Sequence, residues 1–286
     1  MPLDPAAPQS LPDLVDAFEQ TVRAVIDLGR GCGEDELARS TDCPGWTVQD
    51  QLAHVVGVEA WLEGRQDPRV QLPQYDHIRN DLGKRVEYAV EVRRGHTGAE
   101  VVAELEEVLA QRLSTLRDPV LTATSIIPGP FGPEQAAMVV AMRTFDVWTH
   151  EQDIRAALSR PGNLDSAAAA VFVSLVITQL PRLVAKGAAL EPGHEVVIDV
   201  SGPGLAATTG IRVVMDEHGR PRGQAMPDGE LQQRTSDSTT TTTISLSAEA
   251  FTRRAAGRRS VGETAYSVVG DDAVARRVLE ALVVTH

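Results

Sequence analysis

The strongest constraint on the fold is the helical repeat that runs through the first two thirds of this 286-residue chain. Leu14, Phe18 and Val22 recur every fourth position, which is the spacing of the buried face of an amphipathic helix. Similar apolar spacing predicts further helices at residues 48–64, 77–94, 99–116, 134–158 and 165–184. Four or more long helices joined by short connections are typical of an antiparallel bundle, whose sites are built from side chains pointing into its centre.

The pattern changes beyond Lys186 and Gly187. Alternating β-branched residues predict strands at 194–200 and 211–215, and a threonine-rich run predicts a third at 239–246. Two short helical stretches follow, so this part is an α+β unit. We therefore predict two domains, a helical one at 1–188 and a smaller α+β one at 189–286.

Charge and composition exclude several classes of function. The formal net charge of −13 opposes binding to duplex nucleic acid or to anionic lipid, because both require a basic surface. The most apolar stretch, 167–180, is shorter than the roughly 20 residues that cross a bilayer, so we expect a core helix and no membrane attachment. The sequence says nothing about oligomeric state.

Two cysteines, Cys32 and Cys43, are too few for a disulfide framework and form no Cys-x-x-Cys metal pair. The first residues lack the cationic and apolar regions of a signal peptide. These observations together predict a protein that works in the reducing cytoplasm.

Three side chains in the helical part form a candidate metal site. Asp146 and His150 are four residues apart, which places them on one face of a helix, and Asp153 continues that face. His54 lies among apolar residues in another predicted helix. A carboxylate and an imidazole on one helix, faced by a histidine from a second, can hold a divalent ion in a bundle.

Spacing alone leaves other interpretations of these residues open. Asp146 and His150 could form a solvated ion pair, and His54 could be a core histidine bonded to a carbonyl group. The other histidines lie in polar or turn-like segments, where we expect exposure.

Two segments resemble a known family. Residues 43–55 (CPGWTVQDQLAHV) and 146–154 (DVWTHEQDI) are similar to the motifs of the mycothiol-dependent maleylpyruvate isomerase family. Residues 245–259 (SLSAEAFTRRAAGRR) and 268–271 (VVGD) resemble its C-terminal domain more weakly. The resemblance implies a DinB-like four-helix bundle followed by a smaller α+β sterol-carrier-like domain. This sequence departs from the family pattern at Asp146, where the usual residue is Glu.

The resemblance also implies a ligand set and an activity. His54, Asp146 and His150 would hold a divalent metal, most simply zinc, and Asp153 would orient a histidine from outside the ligand set. Mycothiol would be the thiol cosubstrate of a transferase or isomerase that acts on a small electrophile. An arginine of the C-terminal part is expected to bind an anionic substrate, with Arg220, Arg222 and Arg234 as candidates.

Two other functions remain open at this stage. The same metal could activate water, which would make the protein a hydrolase. The C-terminal domain could instead bind an apolar ligand without catalysis.

Overall fold

The computed structural model describes residues 3–232 and 241–285. The chain divides into two compact units, Pro8–Gly162, called the helical unit below, and Asn163–His286 with Met1–Ala7, called the sheet unit. This combination of helices with a sheet agrees with the predicted mixed fold. The predicted boundary at 188 differs from this division, because the helix at 167–182 packs on strands of the sheet.

The helical unit is built from long helices and one two-stranded hairpin. Its elements are α1 (Leu11–Arg30), α2 (Glu34–Leu37), α3 (Val48–Leu62), α4 (Asp81–Arg93), α5 (Gly98–Leu116), β1 (Ile126–Ile127), β2 (Glu134–Gln135) and α6 (Ala136–Leu158). The β1 and β2 strands pair antiparallel.

The start of α3 is fixed by a capping box. Thr47 accepts a hydrogen bond from the Asp50 backbone N–H, and the Asp50 carboxylate accepts one from the Thr47 N–H. These bonds satisfy donors that a helix start leaves free. Because the box sets the first residue of α3, it also sets which way His54 points two turns later.

Helix α3 is the centre of the helical unit. It packs against α1, α4, α5 and α6, and all but two of its residues are buried. The contact with α4 is close at Gly57, where a Cβ atom would lie 2.4 Å from the Cβ of Ala89. A helix without an exposed face can hold polar groups only if they are partnered inside the protein.

The sheet unit contains one five-stranded sheet. Its elements are α7 (Ala167–Arg182), a π-helical turn (Leu183–Gly187), β3 (Glu195–Ser201), β4 (Ala207–Met215), β5 (Pro221–Ala225), α8 (Asp228–Gln232), β6 (Thr241–Ser247), α9 (Ala248–Ala255), β7 (Tyr266–Val269) and α10 (Asp272–Ala281). The strand order is β5-β4-β3-β6-β7, with β3 and β6 parallel and the other pairs antiparallel. The three predicted strands correspond to β3, β4 and β6, although residues 239 and 240 lie outside the described part of the chain.

The helix predicted at 165–184 is observed as α7 followed by the π-helical turn, which continues the helical structure to Gly187. The segment Ala167–Gly187 is long and apolar enough to cross a membrane, and half of its most apolar window is buried within the structure. Contacts with β4 and β5 account for this burial. We predicted this core helix as part of the helical domain, whereas it packs on the sheet.

The end of α10 is held by a buried arginine. Arg254 donates to the carbonyl oxygens of Leu279, Glu280 and Arg259. The last carbonyl groups of a helix have no hydrogen-bond donor within the helix, and the Arg254 side chain supplies the missing donors.

We expect Arg254→Met to lower the free energy of unfolding by about 2–3 kcal/mol, since buried carbonyl groups lose their donors. The exposed Arg276 of α10 provides the matched control, and Arg276→Met should change stability by less than about 0.5 kcal/mol. Urea denaturation of both variants measures the difference. Equal stability of the two variants would contradict this role for Arg254.

Candidate metal centre

Packing of α3 on α6 brings the three predicted ligands together. The candidate ligand atoms of His54, Asp146 and His150 all lie within 4.8 Å of one another. His54 Nε2 lies 3.1 Å from Asp146 Oδ2, and His150 Nε2 lies 3.6 Å from Asp146 Oδ1. The two imidazole rings are 4.3 Å apart between centroids. Residues about ninety positions apart therefore converge on one point.

The site is closed on its histidine side and open at the carboxylate. His54 and His150 are 5% and 6% exposed, whereas the Asp146 side chain is 33% exposed. The ring of Trp46 lies 5.0 Å from that of His54 and 5.8 Å from that of His150. Solvent therefore reaches the site at the Asp146 carboxylate, while Trp46 packs against the histidines.

The electrostatics of the site favour the ligand forms of His54 and Asp146, and they favour the protonated form of His150. Burial, with His150 close by, lowers the pKa of His54 to about 4. Burial opposes ionisation of Asp146, but Arg143 and the two histidines outweigh it and hold its pKa well below the usual range. Burial also opposes the charged form of His150, yet the Asp146 carboxylate raises the pKa of that ring. At neutral pH this leaves a neutral His54 beside an ionised Asp146, as coordination requires.

Two imidazoles and one carboxylate are a donor set that fits zinc and related divalent ions. The arrangement also contains a buried nitrogen, His54 Nδ1, that has no hydrogen-bond partner among the residues the structure describes. Three polar groups that bond each other incompletely inside a protein core are costly. A cation shared by all three would offset that cost, so the residues present fit a metal.

Asp153 is not the nearest acceptor for His150. The Oδ2 atom of Asp153 lies 3.6 Å from His150 Nδ1, whereas Oε1 of Gln51 lies 2.5 Å away. Gln51 was not among the site residues that the sequence motifs predicted. The signal that could have found it is its position three residues before His54, which puts both on one face of α3.

A buried charge network adjoins the carboxylate. Arg143 donates to Asp146 Oδ2 at 2.8 Å and to Glu59 Oε1 at 2.7 Å. Glu59 also accepts from Arg112 at 3.0 Å, and Arg112 donates to Glu63 at 2.8 Å. The helical unit thus places a cation of its own directly beside Asp146.

We expected such a cation from the C-terminal part instead. There, Arg220 is exposed and pairs with Asp216, and Arg222 is exposed as well. Arg234 lies outside the described residues. Arg143 was missed because an arginine inside a predicted helix gives no sign of which way it points.

Trp46 is held in place by a buried carboxylate. Its indole N–H donates to Glu87 Oε2 at 2.8 Å, and the same oxygen lies 2.7 Å from His77 Nε2. Burial opposes ionisation of Glu87, but these bonds and Arg94 lower its pKa overall. His77, which we expected to be exposed, is only 21% exposed because it packs into this cluster.

Neither the two cysteines nor Trp148, the tryptophan of the second motif, has the surroundings of a reactive group. Burial raises the pKa of the Cys32 thiol, and its Sγ donates to the Leu28 carbonyl at 3.1 Å. Cys43 is half-buried. Trp148 is 1% exposed, so its ring belongs to the core.

Comparison with known proteins finds a matching family model for the helical unit and solved structures that match most of the chain. Residues 18–155 match the family model of the mycothiol maleylpyruvate isomerase N-terminal domain. A crystal structure of a histidine-to-alanine mutant of the mycothiol-dependent maleylpyruvate isomerase superposes with a TM-score of 0.53 at 15% identity, over 91% of this chain and 93% of that one. A second crystal structure of the isomerase gives 0.49 at 16% identity over the same shares. No curated protein sequence matches significantly. The first of these structures shows that the fold is shared.

Proposed function

Residues 18–155 of this chain belong to the mycothiol maleylpyruvate isomerase N-terminal domain family, and from that premise we propose a metal-dependent enzyme that uses mycothiol as its thiol cosubstrate. The observation that carries the proposal is the convergence of His54, Asp146 and His150 on one point. We further propose that the helical unit is a DinB-like four-helix bundle, that the sheet unit is sterol-carrier-like, and that the enzyme works in the cytoplasm.

His54, Asp146 and His150 would hold the ion, with zinc as the most suitable one. When bound, it supplies the positive charge that deprotonates a coordinated thiol, which otherwise has a pKa near 8.5 and is largely unreactive at neutral pH. Three protein ligands leave one position for the cosubstrate, as in catalytic zinc sites.

The surrounding side chains would position the reactants. Trp46 excludes water from the histidine side, and the exposed edge of Asp146 is where thiol and electrophile enter. Attack of the thiolate forms a carbon–sulfur bond and moves an electron pair onto the electrophile. An isomerase would then rotate the adduct and break the same bond, which returns the electron pair to sulfur and regenerates the thiol. In a transferase the electron pair would take up a proton, equivalent to the one that the thiol lost, and the conjugate would be released.

One assay separates these outcomes. The zinc-loaded protein is mixed with mycothiol and a small electrophile such as maleylpyruvate, and both thiol and electrophile are followed. We expect conversion that requires the thiol. Conserved thiol identifies an isomerase and stoichiometric thiol loss a transferase.

The controls are the protein without mycothiol and the His54→Ala variant. Equal conversion without any thiol would overturn the proposal and indicate a hydrolase that activates water. Conversion that survives in His54→Ala would show that the reaction does not use this site.

A further inference from the structure

Gln51 is the polar group closest to the outer nitrogen of His150. It is completely buried on α3, and its Oε1 lies 2.5 Å from His150 Nδ1. The Asp153 carboxylate approaches the same nitrogen only to 3.6 Å, which is beyond hydrogen-bond distance. The amide of Gln51 is therefore the direct partner of this ring.

The orientation of the Gln51 amide is fixed by a chain of hydrogen bonds. The Thr41 hydroxyl lies 2.9 Å from the Trp46 carbonyl oxygen, which can only accept, so Thr41 donates its single proton there. Towards Gln51, 2.7 Å away, that hydroxyl can then only accept. The Nε2 end of the amide must face Thr41, which leaves Oε1 facing His150.

This orientation determines where the proton of His150 lies. An amide oxygen accepts and cannot donate, so the ring nitrogen facing it, Nδ1, carries hydrogen. In the neutral ring the lone pair is then on Nε2, which faces Asp146 Oδ1 at 3.6 Å. That is the nitrogen turned towards the candidate metal position.

We propose that Gln51 is a positioning residue that fixes His150 in the metal-binding tautomer, and that the backbone carbonyl of Trp46 sets this polarity through Thr41. The inference rests on the metal site of the proposed function. It assigns the orienting role to Gln51 in place of Asp153. His54 differs from His150, because within the described part of the chain its Nδ1 has no hydrogen-bond partner.

Three variants test this assignment. Gln51→Met keeps the size of the side chain but removes the acceptor, Gln51→Glu keeps an acceptor oxygen, and Asp153→Asn alters the more distant group. Zinc affinity is measured by competition with a chelator. We expect Gln51→Met to weaken binding about 10–100-fold, the range for partners of metal-bound histidines. Gln51→Glu should bind zinc more tightly than Gln51→Met, because a carboxylate oxygen again faces His150, although its second oxygen meets the Thr41 hydroxyl that donates to Trp46. Asp153→Asn should cost less than Gln51→Met.

A second measurement does not depend on metal or on turnover. Ring nitrogen NMR shifts of His150 in metal-free protein, in alkaline buffer where imidazoles are neutral, report the tautomer directly. We expect the Nδ1–H form in the wild type and in Gln51→Glu, and a mixture in Gln51→Met. A wild-type ring protonated on Nε2, or an Asp153→Asn loss larger than that of Gln51→Met, would overturn the proposal. Absence of thiol chemistry would overturn the proposed function and leave this tautomer result standing.

Discussion

His54→Ala is expected to remove the bound metal. Untagged wild-type protein should carry about one divalent ion per chain, since His54, Asp146 and His150 are the three ligands of the proposed site. Two remaining ligands bind a divalent ion far more weakly, so dialysed His54→Ala, His150→Ala and Asp146→Ala should each contain less than a tenth of the wild-type amount. Elemental mass spectrometry on matched samples measures the ratio.

The matched controls are exposed histidines. His96 is exposed and the His218 side chain is 65% exposed, so His96→Ala and His218→Ala should retain full metal content. His77 is unsuitable as a control, because its ring lies 2.7 Å from the buried Glu87 carboxylate. Stoichiometric zinc in dialysed His54→Ala would rule out the proposed ligand set.

Glu59→Gln should cost about 3–5 kcal/mol of unfolding free energy, the range for breaking a buried ion pair by removing one partner. Glu59 is 1% exposed and accepts from the Nε atoms of both Arg112 and Arg143. Without the negative charge of Glu59, the two buried guanidinium groups have less opposite charge beside them. Urea denaturation provides the measurement.

Two comparisons make this prediction specific. Glu107 pairs with Arg65 on the surface, with its side chain 70% exposed, so Glu107→Gln should cost less than about 1 kcal/mol. Replacing Glu59, Glu63, Arg112 and Arg143 together by methionine should recover much of the loss, because of these paired groups only the part-exposed Asp146 then keeps a charge. A Glu59→Gln variant as stable as Glu107→Gln would show that the network is not balanced as described.

Local rules account for what the sequence predicted. The capping box at Thr47 and Asp50 marks the start of α3, and the four-residue spacing of Asp146 and His150 puts both on one face of α6. The apolar residues that flank His54 in the sequence predicted that its side chain is buried. These features need only the geometry of one helix and a resemblance between motifs.

What was missed depends on contacts between distant segments. Strand β5 (PRGQA) lacks β-branched residues, and it forms because Met215 to Ile211 of β4 pair with it. Its Gly223 lies so close to Pro181 that a Cβ atom would be 2.0 Å from the Pro181 carbonyl oxygen. This contact packs α7 against the sheet, so α7 belongs to the unit that begins at Asn163 and not to the helical unit. No pattern within either segment reveals the pairing.

The separation of His54 from His150 along the chain also bears on folding kinetics. Their helices are joined by residues 63–135, which include α4 and α5, so closing this loop carries an entropic cost that must be met before the site exists. Zinc that binds the assembled site stabilises the native state by mass action and has much less affinity for the unfolded chain. Metal uptake after dilution from denaturant would therefore follow the docking of α3 on α6, and chelators would accelerate loss of the native state by removing that stabilisation.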